Sequence, residues 1–201
     1  MSSNNVDNEA TKNANRIRFI NATMELLEQE SFPKISIRKI AERAGFHNST
    51  IYLYFKDLDQ LLLLASMKYF TQYSHSLHIL SRKKRAPLDN FISIWNLFLT
   101  AVLRKPLTFY NFFFGKESEN LYDIIVMYYE IFPEEREQFS KDIEAMYFGK
   151  NIMERSLYLL RTIIPENTAV TEDNVIMLNE MSVSYCKYKL EAQMSKSRSG
   201  F

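Results

Sequence analysis

Apolar residues recur along most of the chain at intervals of three and four positions, the spacing of one face of an α-helix. The first such segment runs from about residue 13 to residue 30, with Phe19, Ala22, Leu26 and Leu27 among its inward positions. Only 4 glycines and 5 prolines occur in 201 residues, so turn signals are few. This pattern predicts an all-α protein.

Two short helices joined by a glycine turn are predicted next. Ser36 suits the N-cap of the first, whose apolar positions are Ile37, Ile40, Ala41 and Ala44. Gly45 ends it, and a second helix then places Ile51 and Phe55 inward, against Ile40 and Phe46. Such a pair is typical of a helix-turn-helix. The residues left facing outward, toward a DNA groove and its phosphates, are Asn48, Thr50, Tyr52 and Tyr54.

A long helix is predicted from Asp57 to about Leu80, because Asp57 and Gln60 have the spacing of a capping box. Further helices are predicted at about 88–104, 107–115 and 118–131, and another begins at Pro133. The basic run in "SRKKRAP" before them is typical of a solvated helix end, with a phosphate contact as the alternative.

The last two long segments resemble a pair of packed helices. A seam of Met146, Met153, Leu157, Leu160 and Ile164, interrupted by Lys150, precedes one of Leu178, Met181, Tyr185 and Tyr188. The second segment is also apolar on another face, and a terminal helix apolar on two sides suits a subunit interface. A homodimer is therefore predicted, with an interface that includes Met153, Leu157, Leu160, Leu178, Met181 and Tyr185.

Basic residues are concentrated near the N-terminus, although the net charge of the chain is only +1. Residues 11–56 contain eight basic residues and four glutamates: Lys12, Arg16, Arg18, Lys34, Arg38, Lys39, Arg43 and Lys56 against Glu25, Glu28, Glu30 and Glu42. A local positive charge on a helix-turn-helix fits double-stranded DNA as a partner.

Residues with catalytic or metal-binding chemistry are scarce. Cys186 is the one cysteine, and its apolar neighbours favour a small buried hydrophobe over a reactive thiol. His75 and His78 have no carboxylate or thiol nearby at ligand spacing, which favours a surface pair over a metal site. No phosphate loop, nucleophile elbow or HExxH motif occurs. The sequence therefore predicts no enzyme and no cofactor, and without a membrane span it predicts a cytoplasmic protein.

The segment "FINATMELLEQESFPKISIRKIAERAGFHNSTIYLYFKDLDQLL" resembles the DNA-binding domain of tetracycline-repressor-type (TetR family) regulators over about residues 16–64. Its most specific parts are "SIRKIAERAGF" and "STIYLYF". The resemblance implies a two-domain helical homodimer, in which three N-terminal helices bind DNA and a larger helical domain binds a ligand and dimerises. The expected segments are a disordered arm (1–12), the DNA-binding domain (13–56), the effector and dimerisation domain (57–194) and a tail (195–201).

Carried over by position, the resemblance implies a set of DNA contacts. These are Ser36, Arg38, His47, Asn48, Ser49, Thr50, Tyr52, Tyr54 and Lys56. Asparagine and arginine can pair with base edges, and tyrosine or threonine hydroxyls with phosphates. Two positions depart from the family pattern: Ser31 replaces a usual glycine, and Leu58 stands where a phosphate-binding lysine often begins the next helix.

Aromatic residues are dense in the C-terminal half, for example in "FYNFFF" (109–114). They are either core packing or the lining of a pocket for a small apolar or amphipathic effector. The candidate lining is Trp95, Phe98, Phe109, Tyr110, Phe113 and Tyr128. Glu117, Glu119 and Glu130 would suit a cationic effector, whereas Arg104 and Lys105 would suit a carboxylate.

Three functional hypotheses follow from these features. The first is a ligand-responsive repressor that an effector releases from a palindromic operator. The second keeps the DNA-binding domain but gives the C-terminal half a protein partner in place of a small molecule. The third, a helical enzyme, has no acid-base, metal or nucleophile constellation to support it.

Overall fold

The computed structural model describes residues 3–30, 32–166 and 169–198, and the side chains of residues 8–30, 32–166 and 169–195. The structure is 80% helical, and no strand occurs in those ranges, so the all-α prediction is confirmed. The α-helices within them are α1 (Ser3–Gln29), α2 (Ile37–Ala44), α3 (Leu58–Ser81), α4 (Pro87–Arg104), α5 (Pro106–Phe114), α6 (Leu121–Ile131), α7 (Lys141–Tyr147), α8 (Ile152–Arg161) and α9 (Val175–Arg198).

The ends of the described chain are more helical than the sequence predicts. Helix α1 begins at Ser3, so it includes most of the stretch 1–12 for which an arm is predicted. Helix α9 continues to Arg198, into the stretch 195–201 predicted as a tail. Lys12 forms an ion pair with Glu9 one turn earlier, at 2.9 Å, which supports the early part of α1. Ser31 lies outside the described residues.

The chain divides into two compact units. The first consists of Met1–Lys68 and Ile124–Glu135, and the second of Tyr69–Asp123 and Arg136–Phe201. The sequence places the boundary after residue 56, at the start of α3. In the structure, α3 and α6 instead each contribute residues to both units.

Helix α2 has a defined cap at each end. The hydroxyl of Ser36 accepts a hydrogen bond from the amide of Lys39, as predicted for an N-cap. At the other end Gly45 has φ 75°, and the amides of Gly45 and Phe46 donate to the carbonyls of Glu42 and Ala41. These two bonds form a Schellman motif, which needs a left-handed residue, and glycine adopts that conformation without steric cost.

Helix α3 begins with the predicted cap. The amide of Gln60 donates to Asp57 Oδ1 at 2.9 Å, while the Gln60 side chain accepts from the amide of Lys56 at 2.8 Å. A standard capping box would direct the Gln60 side chain to the amide of Asp57. The cap therefore also fixes the residue that precedes it.

The predicted seam over residues 146–164 is two helices rather than one. Asn151 caps α8 by accepting from the amide of Glu154, and Glu154 Oε2 accepts from the amide of Lys150. The turn before it requires Gly149, because a Cβ there would lie 2.7 Å from Arg155 Cγ. The interruption at Lys150 thus marks the break between α7 and α8.

The core of the second unit is built around aromatic rings. The ring of Phe70 lies 4.9 Å from that of Phe112 and 5.3 Å from that of Tyr147. The guanidinium group of Arg155 lies over both Phe70 and Tyr147, at 5.2 Å from each centroid. Arg155 is buried there and donates to the Tyr147 carbonyl at 2.8 Å.

Candidate functional site

Phe19 of α1 positions the segment that follows the glycine turn. Its ring is fully buried, stacks on Phe46 at 4.8 Å and meets Phe55 edge-on at 6.0 Å. Arg18, its neighbour in α1, donates to the carbonyl of Ala44 at 2.7 Å and lies over the Phe46 ring at 4.4 Å. One turn of α1 therefore holds both ends of the helix-turn-helix connection.

The segment predicted as the second helix of the motif is a 3₁₀-helix, Asn48–Leu53. Side chains three positions apart eclipse one another in this geometry. Ile51 is buried and Tyr54, three residues later, is half-buried, so one row faces the core. The rows formed by Ser49 with Tyr52 and by Thr50 with Leu53 are left for the outside, and of these four residues only Thr50 is half-buried. Asn48 shares the row of Ile51 but lies at the exposed N-terminal end.

His47 and Ser49 fix the beginning of this 3₁₀-helix. His47 Nδ1 accepts from the Ser49 amide at 3.4 Å and lies 2.8 Å from the Ser49 hydroxyl. Both residues are exposed. They therefore hold the segment in shape and also lie at its surface.

Tyr54 does not share the outward orientation predicted for it. Its hydroxyl accepts a hydrogen bond from Asn15 Nδ2 at 2.9 Å, and its ring lies 5.9 Å from that of Phe19. Tyr54 follows the 3₁₀-helix as its C-cap, and these contacts with α1 hold it on the inward side. By contrast, Tyr52 is 58% exposed.

Several basic residues of this unit are engaged within it. Lys39 pairs with Glu30 at 2.6 Å, and Arg43 pairs with Glu25 at 3.0 Å. The pairs join α2 to Glu25 of α1 and to Glu30, which directly follows α1, and at the surface such pairs contribute little to stability. The remaining predicted DNA contacts, Arg38 of α2 and Lys56 before α3, are exposed, and Leu58 is half-buried at the first position of α3.

Leu53 was missed by reasoning from the sequence. It is 77% exposed, more than any other large hydrophobic side chain of the described residues. The pattern itself could have indicated it, because an α-helical period that places Ile51 and Phe55 inward puts Leu53, two residues from each, on the opposite side.

The second unit contains a small cavity at which two of the six predicted effector residues lie. Trp95 and Phe98 form part of its wall, and its volume is about 20 Å³, which is room for roughly one water molecule. The rest of the wall is formed by Tyr73, Ile94, Met146, Ile152, Arg155, Ser156 and Leu159.

One side of this cavity is polar and buried. Burial raises the pKa of the Tyr73 phenol to about 12, although the nearby Arg155 guanidinium acts to lower it. The hydroxyl of Ser156 is buried and has no hydrogen-bond partner among the described residues. Such a group is costly unless water or a ligand satisfies it.

The other predicted effector residues lie elsewhere. Phe109 and Phe113 are buried against each other with ring centroids 6.2 Å apart, and Tyr110 donates to Glu191 at 2.8 Å. Tyr128 belongs to the first unit, where its hydroxyl donates to Glu135 at 2.7 Å. The six residues therefore do not form one site, because most of these rings cover one another as core.

The charged candidates are also dispersed. Glu117 is buried and accepts from Asn120, whereas Glu119 accepts from Asn151. Glu130 is an exposed residue of the first unit. Arg104 and Lys105 border a different depression, where the Lys105 ammonium lies 4.8 Å from the Tyr69 ring. None of the five borders the cavity at Trp95 and Phe98.

A larger groove of about 600 Å³ lies between α4 and α9, and Trp95 borders it as well as the cavity. The groove is mainly apolar, and its other lining residues are Phe91, Leu99, Leu103, Ser182, Tyr185, Cys186, Lys189, Ala192 and Gln193. Cys186 is buried in its wall, as the sequence predicts.

The predicted interface residues divide into two groups. Leu160 is buried in a cluster with Ile163 and Val175, and Leu157 and Leu178 pack against that cluster. These three interface candidates are thus used inside the protomer, and Met153 is half-buried. Met181 and Tyr185 are 60% and 61% exposed. Further exposed apolar residues on α4 and α9 are Leu88, Ile92, Leu99, Leu103, Ile176, Met177 and Tyr188.

Other classes of site are not found among the described residues. They contain no group of three or more histidine, cysteine or acidic side chains that could hold a metal ion. No helix among them combines the length and the hydropathy needed to cross a bilayer.

Comparison with known proteins gives one family match, and it lies in the N-terminal part of the chain. Residues 19–65 match the family model for bacterial regulatory proteins of the tetR family. No curated protein and no solved structure gives a significant match. The matched residues run from Phe19 through the 3₁₀-helix and into α3, so they include the exposed face and the ring that positions it. Residues 19–65 are therefore similar to the DNA-binding segment of tetR-family regulatory proteins.

Proposed function

We propose that the protein is a ligand-responsive repressor that binds a palindromic operator as a homodimer. The single observation that carries this proposal is the exposed face of the 3₁₀-helix Asn48–Leu53, held by Phe19 within the matched segment. An effector in the second unit then lowers the affinity for DNA.

The chemistry of that face suits a major groove. Asn48 at the N-terminal end can pair with adenine, and Arg38 of α2 can reach guanine or phosphate. Tyr52 and Thr50 carry hydroxyls that can donate to phosphate oxygens. Three of these side chains, Arg38, Asn48 and Tyr52, are exposed. Thr50 is half-buried.

The dimer contact is proposed on the exposed apolar side of α9. Met177, Met181, Tyr185 and Tyr188 follow one another at four-, four- and three-residue intervals, so they form one stripe. A stripe of this kind, with Leu99 and Leu103 exposed on α4, suits a self-complementary interface. Two subunits would place two recognition segments about 34–36 Å apart, one turn of DNA.

The effector is proposed to enter at Trp95, which borders both the small cavity and the apolar groove. The buried hydroxyl of Ser156 and the phenol of Tyr73 would hold a polar group of an otherwise apolar molecule. Tyr73 lies on α3, the helix that begins directly after the DNA-binding segment. A shift of α3 is therefore a direct way for the effector to change the spacing of the two recognition segments.

DNA selection followed by gel-shift titration tests the first part of the proposal. The purified protein should enrich a palindromic duplex from a random pool, and its affinity should fall steeply with salt because phosphate contacts release counterions. Failure to enrich any sequence would remove the proposed function.

Reciprocal titrations test the response to an effector. Trp95 is the only tryptophan of the chain, so its fluorescence can be used to screen apolar and amphipathic compounds. A compound that weakens operator binding 5- to 150-fold must bind the free protein more tightly than the operator complex by the same factor. Equal affinity for both would show that no coupling exists.

The alternative, a DNA-bound adaptor for another protein, is favoured by the small volume of the cavity and by the exposed apolar stripe on α9. It predicts a stable hetero-complex and no compound that both changes Trp95 fluorescence and releases DNA. Co-purification from the source cell, followed by reconstitution with the purified partner, separates the two.

A further inference from the structure

We propose that Leu53 contacts the 5-methyl group of a thymine in each operator half-site. This inference rests on the proposed function and adds a specificity-determining residue to it. Its basis is the position of one strongly exposed apolar side chain in the middle of an otherwise polar surface.

The exposure of Leu53 is a consequence of the backbone geometry. Ile51 faces the core, and the period of the helix directs Leu53, two residues later, away from that side. Leu53 is 77% exposed, whereas Ile51, two residues earlier, is only 2% exposed. No described contact inside the protein explains a leucine at this position.

The neighbours of Leu53 define the surface to which it belongs. Thr50 precedes it in the same row, and Tyr52 lies in the adjacent outward row and is 58% exposed. These are the side chains proposed to lie along the groove and its phosphates. Leu53 is therefore continuous with the proposed interface rather than part of a separate apolar patch.

The chemistry of base edges then selects the partner. A leucine cannot hydrogen-bond, and it gains nothing from a charged phosphate. The one apolar group that the major groove presents is the 5-methyl group of thymine. Removing one methyl from such a contact loses the burial of about one CH₂ equivalent, which corresponds to roughly a fourfold change in affinity per half-site.

The test replaces each thymine of the selected operator, one at a time, with deoxyuridine, which lacks only that methyl group. Wild-type protein should bind about fourfold more weakly when one particular thymine of one half-site is changed, and about sixteenfold more weakly when its counterpart in the other half-site is changed as well. Leu53→Ala changes both subunits of the homodimer, so it should bind the unmodified operator at least as weakly as wild type binds the doubly changed one, and it should show no further loss on deoxyuridine substitution at those positions. Leu88→Ala, which changes a 41% exposed leucine of α4, is the matched control and should behave as wild type.

The outcomes separate this inference from the function on which it rests. If the protein enriches an operator but no thymine-to-deoxyuridine change weakens binding, the Leu53 contact is wrong while the regulator proposal stands. The same holds if Leu53→Ala retains the full deoxyuridine effect. If no duplex is enriched, both are wrong. Because Leu53 is exposed, its substitution should leave the thermal midpoint unchanged, which circular dichroism checks.

Discussion

Tyr52 and Tyr54 are two residues apart and have different physical roles. Tyr54 is tied to α1 by its hydrogen bond with Asn15 and its contact with Phe19. Tyr52 has most of its side chain in solvent. The first should therefore matter to the stability of the unit, and the second to the affinity for DNA.

This difference predicts opposite results for two single-atom changes. Tyr54→Phe keeps the ring but removes the hydroxyl, so it should lower the free energy of unfolding by about 1 kcal/mol. Tyr52→Phe should leave unfolding unchanged and weaken binding to every DNA sequence by losing a phosphate contact. Urea titrations and gel shifts on both variants measure the two effects. A fall in stability for Tyr52→Phe would contradict the assignment.

Cys186 illustrates burial acting on a reactive group. Its side chain is buried in the wall of the groove, and desolvation raises the pKa of its thiol to about 11. The folded state therefore favours the neutral thiol, and the stability that this preference contributes is present below the ordinary pKa of a cysteine. That contribution is lost as the pH rises from about 9 to about 11.

The thiol should therefore react slowly while the protein is folded. At pH 8 roughly one thiol in a thousand would be ionised, and only the thiolate attacks a disulfide reagent. Titration with an aromatic disulfide should be slow in buffer and fast in urea. Rapid labelling of the native protein at pH 8 would show that the thiol is more accessible than its burial indicates.

At the scale of secondary structure, the segment Asn48–Leu53 is too short for the sequence to show which helix type it forms. The helix type matters little for the side that faces outward, because a period of 3 or of 3.6 residues places Leu53 away from Ile51. The sequence therefore predicts the motif, Gly45 and the inward Ile51. It does not predict the inward Tyr54, whose position depends on contacts with Asn15 and Phe19 of α1, which are distant in sequence.

The same limit applies to the predicted aromatic site and seam. Periodicity shows which residues are apolar but not which neighbour covers them, so Phe113 and Leu160 are indistinguishable from residues of a pocket or an interface. Some of their partners, the ring of Phe98 on α4 for Phe113 and Val175 on α9 for Leu160, lie on other helices. By contrast, the caps at Ser36 and Asp57 are local, and both are confirmed.

Asn151, the N-cap of α8, was not predicted from the sequence, although asparagine is a preferred residue at that position. Asn151 accepts from the Glu154 amide at 2.9 Å and donates to Glu119 at 2.6 Å. Asn151→Ala should lower the free energy of unfolding by about 1–2 kcal/mol. Asn96→Ala, in the exposed part of α4, is the control and should cost nothing comparable. Equal effects in urea titrations of the two variants would show that the cap is not important.

At the scale of the whole molecule, the α9 helix has two different apolar sides. Leu178 packs against the cluster of Leu160, Ile163 and Val175, whereas Tyr185 is 61% exposed. The first side stabilises the protomer, and the second is available to another copy of the chain. The two roles can be separated because a substitution on each side should change a different measurement.

Tyr185→Glu should convert a dimer to a folded monomer. A carboxylate in an apolar interface would be desolvated without a partner, at a cost of several kcal/mol, while in the isolated protomer the same position is in water. Leu178→Ala should instead lower the free energy of unfolding by about 2 kcal/mol by leaving a void. Light scattering and urea titration together distinguish these outcomes.

A wild-type protein that is monomeric at micromolar concentration would refute the interface. A Tyr185→Glu protein that stays dimeric would show that the interface does not lie on this side of α9. Loss of the dimer should also reduce operator affinity, because the two half-site contacts would no longer be linked.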